Sequence, residues 1–161
     1  MTVPTPALSN FNRPFDALLQ LQDDAAQITA SGNGTVGGSA RIVDIGDGVV
    51  LAEAVFDINT LDTTTGDETY VLKVEGSTSP TFASGIVTLG MLQLGGASAS
   101  AVVGPESNAS ALTNTKRFIV PFWNVKYGLL FRYLRARFVL SGTTPILDAE
   151  CYIAPIRTLG A

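Results

Sequence analysis

Residues 70–75 alternate strictly between two sets of side chains. Tyr70, Leu72 and Val74 form an apolar set, and the residues between them include Lys73 and Glu75. Because successive side chains of a β-strand point to opposite faces, a period of two predicts a half-buried strand. Similar short apolar runs, separated by glycine-bearing turn signals, recur along the chain. They occupy residues 40–45, 49–58, 86–89, 91–94, 117–122, 129–140 and 146–153.

These runs predict seven to nine short strands, and no long amphipathic helix lies between them. That pattern excludes a doubly wound α/β fold and favours an all-β domain, a jelly-roll-like antiparallel β-sandwich. The chain has 161 residues, of which 46% are apolar and 15% charged, so it suits one domain with a sizeable core. We therefore expect a single domain over residues 15–161.

The regions outside the strand pattern have their own signals. Residues 1–14 contain Pro4, Pro6 and Pro14, which predict an extended N-terminal arm that cannot form helix. Residues 15–30 fit either a short helix or two strand pieces around Asp23-Asp24, and we favour the strands. Residues 95–115 are rich in Gly, Ala and Ser and predict a flexible loop or insertion.

The N-terminus has no basic and apolar leader, so we expect no secretory signal. The apolar runs are too short to span a bilayer, so we expect no membrane partner. The single cysteine, Cys151, cannot form an intramolecular disulfide and lies in an alternating run, which predicts a buried strand thiol.

Charge is distributed unevenly along the chain. Residues 1–115 carry three basic and twelve acidic residues, whereas residues 116–161 carry seven basic and two acidic residues. The net charge of −4 argues against nucleic acid as a partner. The split allows the basic segment to contact an acidic surface, in this protein or in a neighbour. Two sheet edges that differ in charge would give the same pattern.

The chain contains no histidine, which removes the Ser-His-Asp and Cys-His arrangements and the usual catalytic zinc sites. Residues 32–38 are glycine-rich but lack the ending of a phosphate loop, so we expect a turn there. A calcium loop is the best metal candidate, although its spacing fails the EF-hand pattern and a solvated connection is the simpler interpretation. Its oxygen ligands would be Asp57, Asn59, Asp62 and Asp67. We therefore predict a non-enzymatic protein without a cofactor or a metal.

Residues 115–144 form a basic and aromatic segment. In a strand over residues 129–140, one face is expected to meet the core. It would carry Arg132, Leu134, Ala136, Phe138 and Leu140. The other face would carry Phe131, Tyr133, Arg135, Arg137 and Val139. Arginine and aromatic residues are enriched in protein interfaces, which favours a contact surface. Pairing of the arginines with acidic residues on the same sheet is the alternative.

The same segment resembles the capsid cement (decoration) proteins of Bordetella-phage-type tailed bacteriophages. The resemblance rests on the order of motifs over most of residues 15–155. The motifs are Leu19-Gln-Leu-Gln-Asp-Asp-Ala-Ala-Gln-Ile-Thr29, Asp44-Ile-Gly-Asp-Gly48, Tyr70-Val-Leu-Lys-Val-Glu-Gly-Ser-Thr-Ser-Pro-Thr-Phe82, Lys116-Arg-Phe118, Pro121-Phe-Trp-Asn124, Arg132-Tyr-Leu-Arg135 and Ser141-Gly-Thr143. This chain departs from the family in its longer proline-bearing arm and in residues 95–115.

The resemblance implies a structural virion protein, made in the bacterial host cytoplasm, that binds the outside of a phage head. Its partners would be the major capsid protein and further copies of itself, as a dimer or a trimer, and it would have no catalytic residues. As partner-binding residues we predict Phe11 and Phe15 in and beside the arm, and Trp123, Arg135 and Arg137 on the surface.

Two other functions fit the same sequence. One is a carbohydrate- or receptor-binding jelly roll of a phage tail or fibre, in which Trp123 and Tyr127 would stack on a sugar. The other is a secreted lectin-like domain, which the expected absence of a secretory signal disfavours.

Overall fold

The computed structural model describes residues 16–95 and 116–156. The predicted arm with Phe11, the neighbouring Phe15 and nearly all of the predicted 95–115 loop lie outside the described residues. After a 3-10 turn at Ala17–Leu19, every regular element that is described is a strand. The strands are β1 (Gln20–Gln22), β2 (Gly32–Asn33), β3 (Thr35–Val36), β4 (Ser39–Ala40), β5 (Val43–Asp44), β6 (Leu51–Leu61), β7 (Thr69–Ser77), β8 (Val87–Gly95), β9 (Lys116–Trp123), β10 (Val125–Lys126), β11 (Leu129–Leu130), β12 (Tyr133–Ser141) and β13 (Leu147–Pro155).

Two antiparallel sheets carry the fold. The first, called sheet I, has the strand order β1-β13-β6-β9. The second, sheet II, has the order β2-β12-β7-β8, and β5 also pairs with β12. The short pairs β3-β4 and β10-β11 form separate hairpins. The predicted all-β antiparallel sandwich is therefore confirmed.

The core lies between the two sheets and follows the period-two pattern. Tyr70, Leu72 and Val74 of β7 are fully buried, as the alternation predicts. On the neighbouring strand β12 the residues Leu134, Ala136 and Phe138 are also fully buried, which confirms them as core positions. Sheet I contributes Ala54, Phe56 and Ile58 from β6 to the same cluster. Each large apolar side chain buried here stabilises the fold by about 1.5–3 kcal/mol.

The predicted strand over residues 129–140 is interrupted. β11 ends at Leu130, β12 begins at Tyr133, and the two residues between them belong to neither strand. Phe131 turns into the protein and is buried, so its predicted place on the exposed face is wrong. Arg132 was predicted on the core face, but its guanidinium is partly exposed and pairs with Asp44 and Asp47. Leaving a charged side chain in contact with water and its ion-pair partners costs less free energy than burying it in an apolar core.

Several other boundaries differ from the sequence prediction. The runs at 86–89 and 91–94 belong to one strand, β8, with a register irregularity opposite Val74 and Glu75. Of residues 40–45, Ala40 ends β4 and Val43–Asp44 form β5, whereas the other three are in no strand. Residues 16–30 give the 3-10 turn, β1 and an isolated bridge between Ile28 and Leu147. These differences arise because pairing with distant strands decides where a short strand begins and ends.

The turn predicted for the glycine-rich residues 32–38 is confirmed only at their end, because Gly32–Asn33 and Thr35–Val36 are the strands β2 and β3. Gly37 and Gly38 have positive φ angles between β3 and β4. Gly34 has a different role, because a Cβ there would lie 2.2 Å from the carbonyl oxygen of Leu21. Only glycine therefore allows this segment to pack closely between β1 and β12.

Cys151 lies on β13 and is fully buried, which confirms the predicted strand thiol. Burial, with the neighbouring carboxylates of Glu150 and Asp57, raises the pKa of the thiol well above its ordinary value. The group is therefore an apolar core side chain rather than a nucleophile.

A candidate protein-binding surface

One end of the sandwich carries a group of exposed apolar side chains, called here the apical patch. Leu51 begins β6, Trp123 ends β9, and the two residues lie directly opposite each other. Leu51 is 45% exposed and Trp123 is 59% exposed, on the outer side of sheet I. The patch comprises Val49, Leu51, Trp123, Tyr127 and Leu129, all of them exposed. Leu51 and Trp123 adjoin each other through the strand register, and adjoining apolar side chains on a surface are typical of interaction sites.

Asn124 holds this end of the molecule together. Its side chain is fully buried, and its Nδ2 donates to the carbonyl oxygens of Gly48 and Phe131, at 2.9 and 3.4 Å. Its Oδ1 accepts from the backbone N–H of Val50 at 2.7 Å. Its backbone groups bond to Val50 and Phe131 as well. One side chain thus fixes the loop before β6, the end of β9 and the chain before β12.

The hairpin of β10 and β11 projects part of the patch. Val125 pairs with Leu130 and Lys126 with Leu129, so Tyr127 and Gly128 form a two-residue turn. Both turn residues have positive φ, 53° and 75°, as a type I′ turn requires. Tyrosine is uncommon in this left-handed region, and its side chain is 82% exposed. An exposed aromatic residue held in a costly backbone conformation is typical of a functional site.

A cleft of about 610 Å³ adjoins the patch at Leu51. Seven apolar residues line it, including Leu19, Val50 and Ile153, together with the carboxylates of Asp16 and Asp44. The Arg132 guanidinium beside Asp44 lowers the pKa of that carboxyl, so the rim stays charged at neutral pH. The cleft offers an apolar recess with acidic groups at its margin.

The outer face of sheet II has a different character. Arg135 lies opposite Glu75, pairs with it at 2.8 Å, and stacks on the ring of Phe82 at 4.3 Å. The Arg135 side chain is only 15% exposed. Arg137 lies opposite Lys73 and donates one hydrogen bond, to Asn33 at 3.2 Å. Arg135 is therefore paired with an acidic residue of its own sheet, which was the alternative to a contact surface. Arg137 instead faces another cation.

The outer face of sheet I combines acidic side chains with a buried apolar group of Val55, Tyr152 and Ala154. Glu150 of β13 lies opposite Asp57 of β6, and Asp57 accepts two hydrogen bonds from Arg117 of β9, both at 2.7 Å. Gln20 donates to Glu150 at 2.9 Å. Desolvation, followed by the nearby charges of Asp57 and Asp24, raises the pKa of Glu150.

The four predicted calcium ligands do not form a shared site. Asp57 is engaged by Arg117. Asp62 accepts from the backbone and hydroxyl of Thr64, and Asp67 accepts from Thr65 and Thr143. These hydrogen bonds lower the pKa values of Asp62 and Asp67. Within residues 16–95 and 116–156, no group of three or more acidic or thiol side chains is arranged to hold a metal ion.

The structure separates the predicted partner-binding residues. Trp123 lies on the outer side of sheet I, whereas Arg135 and Arg137 lie on the outer side of sheet II. Sequence reasoning missed Asn124 and Lys73, because both depend on strand register. The alternation of residues 70–75 placed Lys73 on the outer face but gave no sign of which residue it would oppose.

Comparisons with protein-family models, curated proteins and solved structures found no match for this chain. No helix in the described part of the chain is long and apolar enough to cross a membrane. The surface itself therefore carries the functional argument.

Proposed function

We propose that this protein is a structural virion protein, a capsid cement or decoration protein that binds the outside of a phage head and stabilises contacts between capsomers. Its partner in this proposal is the major capsid protein. The ordered motifs that resemble capsid cement proteins, such as Pro121-Phe-Trp-Asn124, support it.

The observation that carries the proposal is the apical patch. Leu51 and Trp123 are exposed side by side, although buried Asn124 fixes the backbone next to them. Apolar area covered by a partner contributes roughly 25 cal/mol per Å², before the cost of association. Because Asn124 already holds the backbone beside these residues, little loop entropy is lost on binding, so more of that gain is kept.

The strand order supports the jelly-roll part of the proposal. The eight main strands can be numbered in chain order: β1, β2, β6, β7, β8, β9, β12 and β13. With this numbering, strand one pairs with strand eight, and strand two with strand seven. Strand three pairs with strand six, and strand four with strand five. Sheet I then reads 1-8-3-6 and sheet II reads 2-7-4-5. This nesting of pairs is expected when a long hairpin rolls into two sheets with two Greek keys.

A small homo-oligomer completes the proposal. Two or three copies that each present one patch would contact several capsomers together. Once one patch is bound, the others bind as intramolecular events, so modest individual contacts give strong attachment. The attached oligomer would then oppose the separation of neighbouring capsomers.

The decisive test is co-sedimentation of the purified protein with capsids assembled without it, followed by heating to release the packaged DNA. We expect saturable binding and a higher release temperature. Trp123→Ala should weaken both effects, whereas Ile86→Ala, which also shortens an exposed apolar side chain, should change neither. An absence of binding by the unmodified protein would refute the proposal.

A second candidate function is carbohydrate or receptor binding, and the exposure of both Trp123 and Tyr127 favours it. Exposed aromatic faces can stack on sugar rings. Trp123 is the only tryptophan of the chain, so its fluorescence reports on the patch alone. A saturable change of that emission with host surface glycans, without capsid binding, would select this function.

A further inference from the structure

Two cations face each other on the outer side of sheet II. Lys73 of β7 lies directly opposite Arg137 of β12. These two residues belong to a row of paired residues that runs across the strands of sheet II. The row continues to Asn33 of β2 on one side and to exposed Met91 of β8 on the other. Like charges in directly opposed positions destabilise a sheet, so packing and stability alone do not account for this pair.

No carboxylate offsets this charge among residues 16–95 and 116–156. Towards the described part of the chain, the Arg137 guanidinium donates only to Asn33, and the Lys73 ammonium forms no ion pair or hydrogen bond there. The nearest acidic group in the register, Glu75, is already bound by Arg135. The face therefore keeps two uncompensated positive charges on a chain whose net charge is −4.

The surroundings of the pair indicate a protein partner. The next row along the strands is the apolar pair Val71 and Val139, both half-buried, and Met91 lies beside Lys73. Cations set among apolar side chains match the mixed composition of protein interfaces. A nucleic acid is disfavoured, because nucleic-acid-binding domains are usually basic overall and this chain has a net charge of −4.

We propose that the outer face of sheet II around Lys73 and Arg137 is a second docking surface, which binds an acidic protein surface. This inference rests on the proposed function, under which the carboxylates belong to the shell. The carboxylates would lie between the two cations and convert their repulsion into two charge-assisted contacts. Such contacts raise the rate of association and fix the orientation of the subunit.

The proposal predicts opposite effects on stability and on binding. Lys73→Gln removes the repulsion, so its unfolding midpoint should equal or exceed that of the unmodified protein, while its affinity for capsids should fall at least tenfold. Lys73→Glu should raise the midpoint further through a new pair with Arg137 and should bind more weakly still. A purely structural Lys73 would not separate the two readouts.

The matched control is Arg117→Gln, which also removes one positive charge but lies on sheet I and breaks the pair with Asp57. It should lower the unfolding midpoint and leave capsid affinity unchanged. Binding by the unmodified protein should also weaken as salt is added, and this dependence should be reduced in Lys73→Gln.

The same variants are measured with poly-L-glutamate in place of capsids. If capsids bind the unmodified protein and both Lys73 variants equally, this inference is overturned and the proposed function stands. If capsids bind none of them, the proposed function fails, and the polypeptide decides the inference. If the unmodified protein binds poly-L-glutamate and Lys73→Glu abolishes that binding, the inference is supported. If the unmodified protein does not bind poly-L-glutamate, or binds a DNA duplex more tightly, the inference is overturned.

Discussion

Glu150 and Asp57 lie directly opposite each other on the outer face of sheet I, so two carboxylates occupy one cross-strand pair. Arg117 compensates Asp57 through two hydrogen bonds, and Glu150 receives one hydrogen bond from Gln20. The pKa of Glu150 is raised, first by desolvation and then by its acidic neighbours. The folded protein therefore holds the Glu150 proton more tightly than the unfolded chain does.

The raised pKa of Glu150 determines the direction in which the free energy of unfolding changes with pH. The folded-state pKa of Glu150 lies above its unfolded value of 4.5. As pH rises from the unfolded to the folded pKa, ionisation of Glu150 therefore lowers the free energy of unfolding. We expect Glu150→Gln, which keeps the acceptor for Gln20, to raise the free energy of unfolding by a few tenths of a kcal/mol at neutral pH. The gain should vanish below the unfolded pKa. Urea denaturation at several pH values measures this, and an equal gain in acid would contradict the assignment.

Asn124 is expected to be essential for stability. Asn124→Ala would leave the buried carbonyl of Phe131 and the part-buried N–H of Val50 without their side-chain partner, and would release the exposed Gly48. Because each unmet buried polar group is costly, we expect a loss of about 2–4 kcal/mol in the free energy of unfolding. Asn33→Ala at an exposed position should cost less than about 0.5 kcal/mol. Chemical denaturation of both variants makes the comparison, and similar costs would refute the role of Asn124.

Trp123→Ala tests whether the apical patch is a binding surface rather than part of the core. The side chain is more than half exposed, so we expect the unfolding midpoint to change little. Capsid affinity should fall by roughly 30-fold or more, as for a tryptophan at the centre of an interface. Titration of capsids with labelled protein measures the affinity. A large loss of stability with unchanged affinity would place Trp123 in the fold instead.

The Arg135–Glu75 pair should contribute to stability, because both side chains are largely shielded from water. A double-mutant cycle with Arg135→Met and Glu75→Gln should give a coupling energy of about 1–3 kcal/mol. The more exposed Arg132–Asp44 pair should give a smaller coupling. Thermal and urea unfolding of the four variants of each cycle provide the values. Equal couplings would show that burial does not distinguish the two pairs.

Deletion of residues 1–14 tests the predicted role of the N-terminal arm. All strands described begin after residue 19, so we expect the truncated domain to keep its fold and its cooperative unfolding. We also expect weaker attachment to capsids, because Phe11 is lost as an anchor. Circular dichroism and co-sedimentation of the truncated and full chains provide the readouts. Unchanged attachment would remove the arm from the mechanism.

The local alternation of apolar and polar residues was sufficient to predict much of the fold. Alternation placed Tyr70, Leu72, Leu134 and Phe138 in the core, because each strand has one face turned towards the opposite sheet. It also placed Cys151 inside. Such positions depend only on the period of a strand, which a sequence displays directly.

The candidate surface could be predicted only in part. Trp123 stood out by its residue type, but its partner Leu51 lies 72 positions away and is found only through the register. The break before β12 depends on Asn124 and Arg132, whose partners are in the loop at residues 44–50. Likewise, the repulsive pair Lys73–Arg137 exists only once β7 and β12 are aligned. Contacts between distant segments are set by topology, and a single sequence does not display them.

The position of β13 in sheet I also constrains the order of events during synthesis. Residues 147–155 form the last strand described, yet they lie between β1 and β6 in the interior of the sheet. Until they leave the ribosome, β1 has no partner in sheet I, and one edge of β6 is open. Long-range pairing of this kind slows folding, and unpaired edges favour aggregation in the meantime. A chain cut short within β13 should therefore yield aggregates rather than a smaller working domain, and each subunit must be complete before it matures.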